Sequence, residues 1–480
     1  MKFSTTLSTS ILLLTTLSKF TFAAPAAAEP VHTSASTIAS SIPDPENDAS
    51  DDYLVVLADD DKRPWDEVFA EMGYNQTTFS ANSVDDDGNS DIKTFGTNMR
   101  AFTIKMKESG YASVSAMPNV KYMERNIIEP WPSIPADLAP LTPVRPVKRS
   151  LWSKLNFRKR DEEQPQAQVV IQQGTAPWGL QRISSTTPVD PAGRTAEDLS
   201  YKYRFDKTGG SGVDVYVLDS GVDVKFAEFG GRAKNLFSAF GNNTDFTDEI
   251  GHGTFAAGVV TSLHFGVAKN ANIWGVKIGD SKGPSLIGWW QGLDAVLAAH
   301  NQRKSQPGFK GSIATMSLGL KNGSYSEALA DLFGQASKAG IHMTLAALNH
   351  NEDSCQRFPQ MLTKTLPLLT VGATNISDTR ARFSNYGPCV NIYAPGESII
   401  STSAQSPTGA MVQHGTSFAC PMVAGQIADE LVKNPELRLD TEGMKKLILS
   451  KAQKCAIKKD PNPQVGEILL LNNGFLGTPS

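Results

Sequence analysis

The run V-D-V-Y-V-L-D-S-G at residues 213–221 is the strongest constraint on what this chain can fold into. Val213, Val215 and Val217 alternate with other residues, and the run ends at Asp-Ser-Gly. Such a pattern reads as a buried strand that delivers Asp219 at its C-terminal edge, where α/β sheets carry their sites. Further strand-like runs begin at Ile273, Ala314, Ile341, Leu368 and Val390. Between them lie helical stretches, among them a stripe of Leu286, Trp290, Leu293, Leu297 and His300. From Gly174 onward, strands and helices therefore alternate. The alternation predicts an α/β fold with a mainly parallel sheet covered on both faces.

Two more strings carry chemistry. His252 stands between two glycines and opens T-F-A-A-G-V-V, a small-residue helix. The positive end of that helix is expected to disfavour the imidazolium and keep a neutral base. Ser417 follows Gly415-Thr416 and leads into the helical stripe Val423, Ile427 and Leu431. Pro421 is placed in the first turn, where proline is tolerated. Taken singly, these strings are a turn, a loop histidine and a helix cap. Together they hold the three groups that nucleophilic catalysis by serine needs. The hydroxyl needs an adjacent base, and the base needs a carboxylate to orient it.

With A-P-W-G-L-Q-R-I-S from Ala176, F-G-V-A-K from Phe265, S-L-G from Ser317 and R-F-S-N-Y-G-P-C-V from Arg382, the chain resembles the subtilisin-like serine proteases of the proteinase K and cerevisin branch. The resemblance covers roughly residues 175–456 and extends in weaker form to the segment before. It implies a subtilisin-like three-layer fold preceded by a small α+β ferredoxin-like inhibitory propeptide. Asp219, His252 and Ser417 fall on the family's catalytic positions. Asn349, in A-A-L-N, falls on the donor to the oxyanion, and Ser317, Leu318 and Gly319 fall on the strand that pairs with substrate. Cys355 and Cys389 match the places of a family disulfide. Cys420 reads as a buried thiol and Cys455 as unpaired.

The departures from the pattern are specific. Leu348 and Leu320 replace glycines that border the pocket for the residue before the cut bond. Phe418 replaces the usual Met, and Phe255 the usual His. Asn391 stands where proteinase K uses an Asp for calcium, so no cofactor is expected and structural calcium is left open. His414 and His350 flank the site residues and read as polar surface groups.

Lys2, an apolar stretch at residues 11–14 and T-F-A at Thr21 to Ala23 read as a signal peptide. The expected organisation is a signal peptide at 1–23, a disordered leader at 24–50 and the propeptide at 51–130. A processing linker at 131–173 carries Lys148-Arg149 and Arg158-Lys159-Arg160. The catalytic domain follows at 174–458, with a C-terminal tail at 459–480. A secretory route, ending outside the cell, in the wall or in a vacuole, makes Asn75, Asn242, Asn322 and Asn375 candidate glycosylation sites. The net charge of -4, with basic residues that do not cluster with aromatics, argues against nucleic acid. No later apolar run approaches the length of a membrane span. The expected partners are polypeptide substrates and the chain's own propeptide, on a monomer. The leading expectation is a self-processed serine endopeptidase. Leu348, Leu320 and Phe418 keep open a restricted or inactive protein of the same fold with a binding or wall-assembly role.

Overall fold

A seven-stranded sheet, parallel throughout, organises the molecule. This computed structural model describes residues 50–72, 92–133, 138, 170–190, 192–403, 406 and 409–475. The signal peptide, the leader, Asn75 and the dibasic sites lie outside the described residues. Across the sheet the strands run Ile392–Pro395, Leu369–Thr374, Ile341–Ala346, Ser312–Met316, Asp214–Asp219, Asn272–Lys277 and Ala233–Ser238.

Every residue of Asp214–Asp219 is buried, as the centre of a parallel sheet requires. The period-two rule divides them between two cores. Val215 and Val217 pack with Val259, Val260, Val423, Ile427 and Leu431 of the helices His252–Thr261 and Thr416–Lys433. Tyr216 and Leu218 face the other way, onto Trp289, Trp290 and Leu293 of the helix Leu286–Arg303. Leu329, Leu332 and Phe333 of the helix Glu327–Ala339 complete that second core.

The N-terminal domain is a four-stranded antiparallel sheet in the order Ile92–Phe95, Ala101–Lys107, Ser50–Leu57, Val120–Arg125, with helices Trp65–Glu71 and Glu108–Ser115. Its sheet lies on the second core, to which it contributes Leu54, Val56, Met99 and Ala101. Polar contacts fix the seating. Asp294, on the helix Leu286–Arg303, accepts the N–H groups of Thr97 and Asn98 at 2.7 and 3.2 Å. Glu124 accepts from Ser326 Oγ at 2.5 Å and from the Ala328 N–H at 2.9 Å. It thereby satisfies a donor at the start of the helix Glu327–Ala339. Burial pushes the Glu124 carboxyl up from its usual range.

Two segments at the ends of the large body are packed onto it. The strand Val170–Ala176 pairs with Tyr201–Asp206, so residues 170–173, read as linker, are paired with the body that follows. The C-terminal segment is packed down. Ile457, Val465, Ile468 and Leu470 cluster with Tyr386 and Tyr393, and Leu470 bridges to Tyr393 and Gln453.

Candidate active site

Asp219 ends its strand at the C-terminal edge of the sheet, as the alternation predicts. Its Oδ1 accepts from the Ser220 N–H at 2.8 Å and lies 2.7 Å from His252 Nδ1. His252 is the first residue of its helix. That turn is held by Asp248, whose carboxylate accepts from the Gly251 N–H, the Thr254 N–H and Ser220 Oγ at 2.8, 2.8 and 2.7 Å.

Burial pushes the His252 imidazolium down, but the charge and hydrogen bond of Asp219, with the charge of Asp248, outweigh it and raise the pKa above the ordinary value. The helix N-terminus was expected to lower it. Two carboxylates close by are stronger than a partial positive end.

Ser417 is the second residue of the helix Thr416–Lys433, and Pro421 is the sixth. Pro421 is therefore not in the first turn, and it cannot supply the i→i−4 bond. The carbonyl it leaves without a helical partner is that of Ser417. Ser317 Oγ donates to this carbonyl at 2.9 Å. Ser317 thus braces the backbone of Ser417, a role separate from any main-chain pairing with substrate.

Asn349 Oδ1 accepts from both the N–H and the Oγ1 of Thr416, each at 2.9 Å. This fixes the amide so that Nδ2 is the free end. Asn349 Nδ2, His252 Nε2 and Ser417 Oγ are all buried without a hydrogen-bond partner. Three unspent polar atoms on one site are what an acyl-transfer centre presents to its substrate. Catalytic hydrogen bonds of this kind tighten in the substrate complex.

Leu348 is 2% exposed and sits at φ 75°. That left-handed backbone explains why glycine is the family's residue there. A Cβ on Gly319 would stand 2.9 Å from Leu348 Cδ1 and 3.0 Å from the Gln360 amide. The side of Gly319 where a side chain would stand is thus filled by these two residues. Gln360 Nε2 donates to Leu318 O at 3.2 Å and to Ala346 O at 2.7 Å, tying together the two chain segments that wall the site. Leu320 is 3% exposed and donates its N–H to Phe358 O. The Phe418 ring packs between His252 and Phe255, with centroids 5.3 and 4.4 Å away.

Other sequence expectations fall as follows. Cys355 and Cys389 form a disulfide. Their separation of 34 residues corresponds to about 4 kcal/mol on the chain-entropy model. Cys420 is buried against Thr315 and Thr344, and burial pushes its thiol up to about 11. Cys455 is free and exposed. His414 is buried rather than on the surface, and its Nδ1 accepts from the Ser398 N–H at 3.0 Å. His350 has a half-exposed side chain beside Glu352. Asn242 and Asn322 are exposed, whereas Asn375 is partly buried and its Oδ1 takes bonds from Ser377 and Thr379. Asn391 spends its Oδ1 on the Thr370 N–H. Among the described residues no group of three or more His, Cys, Asp or Glu is placed to hold a metal ion.

The segment that leaves the N-terminal domain enters the same cleft. Ile128 pairs antiparallel with Ser285, the Leu286 N–H donates to Ile127 O at 2.8 Å, and the Glu129 N–H donates to Pro284 O at 3.0 Å. Trp131 lies 5.6 Å from His252, centroid to centroid, and its Nε1 donates to Asp280 O at 2.7 Å. Gly283, at φ 129°, makes the approach possible, because a Cβ there would stand 1.8 Å from Glu129 O. Asp248, Gln360 and Trp131 were not singled out from the sequence.

A sheet edge that carries Asp219, a histidine bonded to it, and a serine on the helix packed beside that histidine's are the arrangement of a serine hydrolase of the α/β class. Residues 210–467 match the Subtilase family. The chain is 32% identical over 429 residues to the subtilisin-like serine protease Pen ch 18 of Penicillium rubens, covering 87% of this chain and 78% of that protein. It is 39% identical over 270 residues to cerevisin of Saccharomyces cerevisiae, covering 55% of this chain and 40% of that one. Among solved structures it resembles a cold-adapted subtilisin-like serine proteinase, with 33% identity and a TM-score of 0.52, covering 62% of this chain and 98% of that one. The chain belongs to the subtilase family and is a serine endopeptidase.

Proposed function

We propose that this endopeptidase enters the secretory pathway as a zymogen, processes itself, and hydrolyses peptide bonds through an acyl-enzyme on Ser417. The 2.7 Å bond between His252 Nδ1 and Asp219, which leaves Nε2 without a partner, carries the reading. His252 takes the Ser417 proton as the hydroxyl attacks the carbonyl carbon, and Asp219 holds the ring and stabilises its charge. Asn349 Nδ2 and the Ser417 N–H receive the oxyanion. His252 then returns the proton to the leaving amine, and water repeats the sequence to free Ser417.

The N-terminal domain acts as inhibitor of its own protease, since it is seated on two helices and sends its tail into the cleft. The signal peptide and the dibasic pairs support passage through compartments with processing proteases. No helix of the described residues is long and apolar enough to cross a membrane. Buried Leu348 and Leu320 support a narrowed primary pocket and hence a restricted substrate range.

The test is labelling by a serine-reactive fluorophosphonate together with casein hydrolysis. Both are expected in the wild type, and both should vanish in Ser417→Ala with the fold retained. Loss of such a nucleophile typically costs about six orders of magnitude in turnover. Unchanged hydrolysis in that variant would sink the assignment.

A further inference from the structure

The tail in the cleft reads Glu129-Pro130-Trp131-Pro132-Ser133, and its two prolines occupy alternate positions. In an antiparallel ladder, successive residues offer their N–H and C=O groups to opposite sides. Ile127 O and the Glu129 N–H face the segment Pro284–Leu286 and are bonded to it. If the tail keeps this alternation beyond the Ile128–Ser285 bridge, residues 130 and 132 turn their main-chain groups away from that segment. Lys321, two residues past the Ser317–Gly319 strand, contacts the tail: its N–H donates to Glu129 Oε1 at 3.3 Å. Proline has no N–H to give. Among the described residues no main-chain hydrogen bond joins Ser317–Gly319 to the tail. The main chain of the tail is bonded on one side only.

We propose that Glu129–Pro132 is a plug that the enzyme binds but does not cut. This rests on the endopeptidase reading above and adds where the processing cut does not fall.

Three anchors make the plug a ligand. The Glu129 side chain, 9% exposed, reaches the Lys321 N–H. The Trp131 indole donates to Asp280 O. Its ring lies against His252. The two prolines deny it the chemistry. Trp131 lies against the His252 ring, so the two peptide bonds that follow it are the next along the chain from the base. Pro132 belongs to both. In the bond Trp131–Pro132 it is the leaving amine, and the nitrogen that His252 must protonate carries ring carbons. In the bond Pro132–Ser133 it is the acyl part, and the N–H that would register it on the Ser317–Gly319 strand is missing. The ligand class that fits this cleft without being consumed is a peptide with an acidic residue, then an indole flanked by prolines. The processing cut then falls outside residues 129–133, in the linker beyond.

The test compares full-length wild type with Pro132→Leu, each with and without Ser417→Ala, by mass spectrometry of the N-termini produced. The wild type is expected to show no terminus at residues 132 or 133. Pro132→Leu is expected to gain one at Ser133, which disappears when Ser417→Ala is added. In that cut the carbonyl carbon of residue 132 parts from the Ser133 nitrogen. Water supplies hydroxyl to the carbon and a proton to the nitrogen.

In a second arm, a synthetic peptide spanning residues 126–133 is added to active enzyme from culture. It should inhibit casein hydrolysis and remain intact, a Glu129→Ala peptide should inhibit roughly tenfold more weakly, and a Pro132→Leu peptide should be cut. A Ser417-dependent terminus at residue 132 or 133 in the wild type overturns the proposal. So does a Pro132→Leu chain and peptide left uncut by a preparation that hydrolyses casein. A preparation that neither hydrolyses casein nor takes the fluorophosphonate label would instead overturn the endopeptidase reading on which the proposal rests.

Discussion

Replacing Leu348 by glycine tests what narrows the primary pocket. Three energies enter. A left-handed backbone costs a branched residue about 1 kcal/mol, which glycine relieves. Burial of the leucine side chain contributes about 2–3 kcal/mol, which is lost. Glycine's extra freedom in the unfolded chain costs up to about 1 kcal/mol. The net is a destabilisation of about 2 kcal/mol, visible as a lower melting temperature. The functional consequence runs the other way. Leu348 Cδ1 reaches within 2.9 Å of a Cβ position on Gly319, on the strand assigned to substrate. Discrimination in an apolar pocket is on the order of 1–3 kcal/mol per methylene. Room for a single carbon therefore moves selectivity by about tenfold. The assay is kcat/KM on peptides that differ only in Ala or Phe before the cut bond. The wild type should favour Ala, and Leu348→Gly should raise the Phe-to-Ala ratio at least tenfold. A wild type that already prefers Phe refutes the argument. So does an unchanged ratio in a variant with the expected loss of stability, because Leu348 would then be core and not pocket wall.

Asn349→Ala should lower kcat by roughly a hundred- to a thousandfold with KM nearly unchanged, because its free Nδ2 bonds most strongly in the transition state; steady-state kinetics on one peptide decides it. Asp248→Asn should move the acid limb of the kcat/KM–pH profile to lower pH. His252 must be neutral to act, its pKa is raised partly by the charge of Asp248, and removing that charge lowers it. A limb that stays in place would show that Asp219 alone sets the base. Ser317→Ala should leave the Ser417 carbonyl unpaired, at a cost of about 1–3 kcal/mol, and lower activity. Adding Pro421→Ala restores an N–H that can donate to the Ser417 carbonyl four residues back, so the double variant should lose less stability than the sum of the two single variants. Thermal unfolding of all four chains checks the cycle.

The groups that were legible in the sequence are those whose local strings dictate their own backbone. Asp219 ends an alternating run, and His252 and Ser417 are the first and second residues of helices that each start after a glycine, so neighbours along the chain place them. Gln360 was not legible, because its worth lies in bonding Leu318 and Ala346, carbonyls of two other segments. Asp248 lay closer to reach: a carboxylate just before G-H-G is placed to accept from a helix start, and its effect on His252 follows. The brace on Ser417 required only counting, since four residues before Pro421 is Ser417 itself. Trp131 was read by composition as the start of a linker. Proline-rich composition and a proline-locked strand look alike in sequence, and what separates them is a partner edge, supplied here by residues 284–286. That difference bears on the energetics of inhibition. A bound tail with no amide hydrogens toward one wall gives up two hydrogen bonds that a substrate would make. It regains affinity because proline loses little conformational freedom on binding, and because Glu129 and Trp131 supply side-chain anchors in their place. A substrate needs the opposite balance, with main-chain pairing on both walls holding the carbonyl still beside Ser417. On this argument Pro132 decides whether the same cleft treats the segment as inhibitor or as substrate.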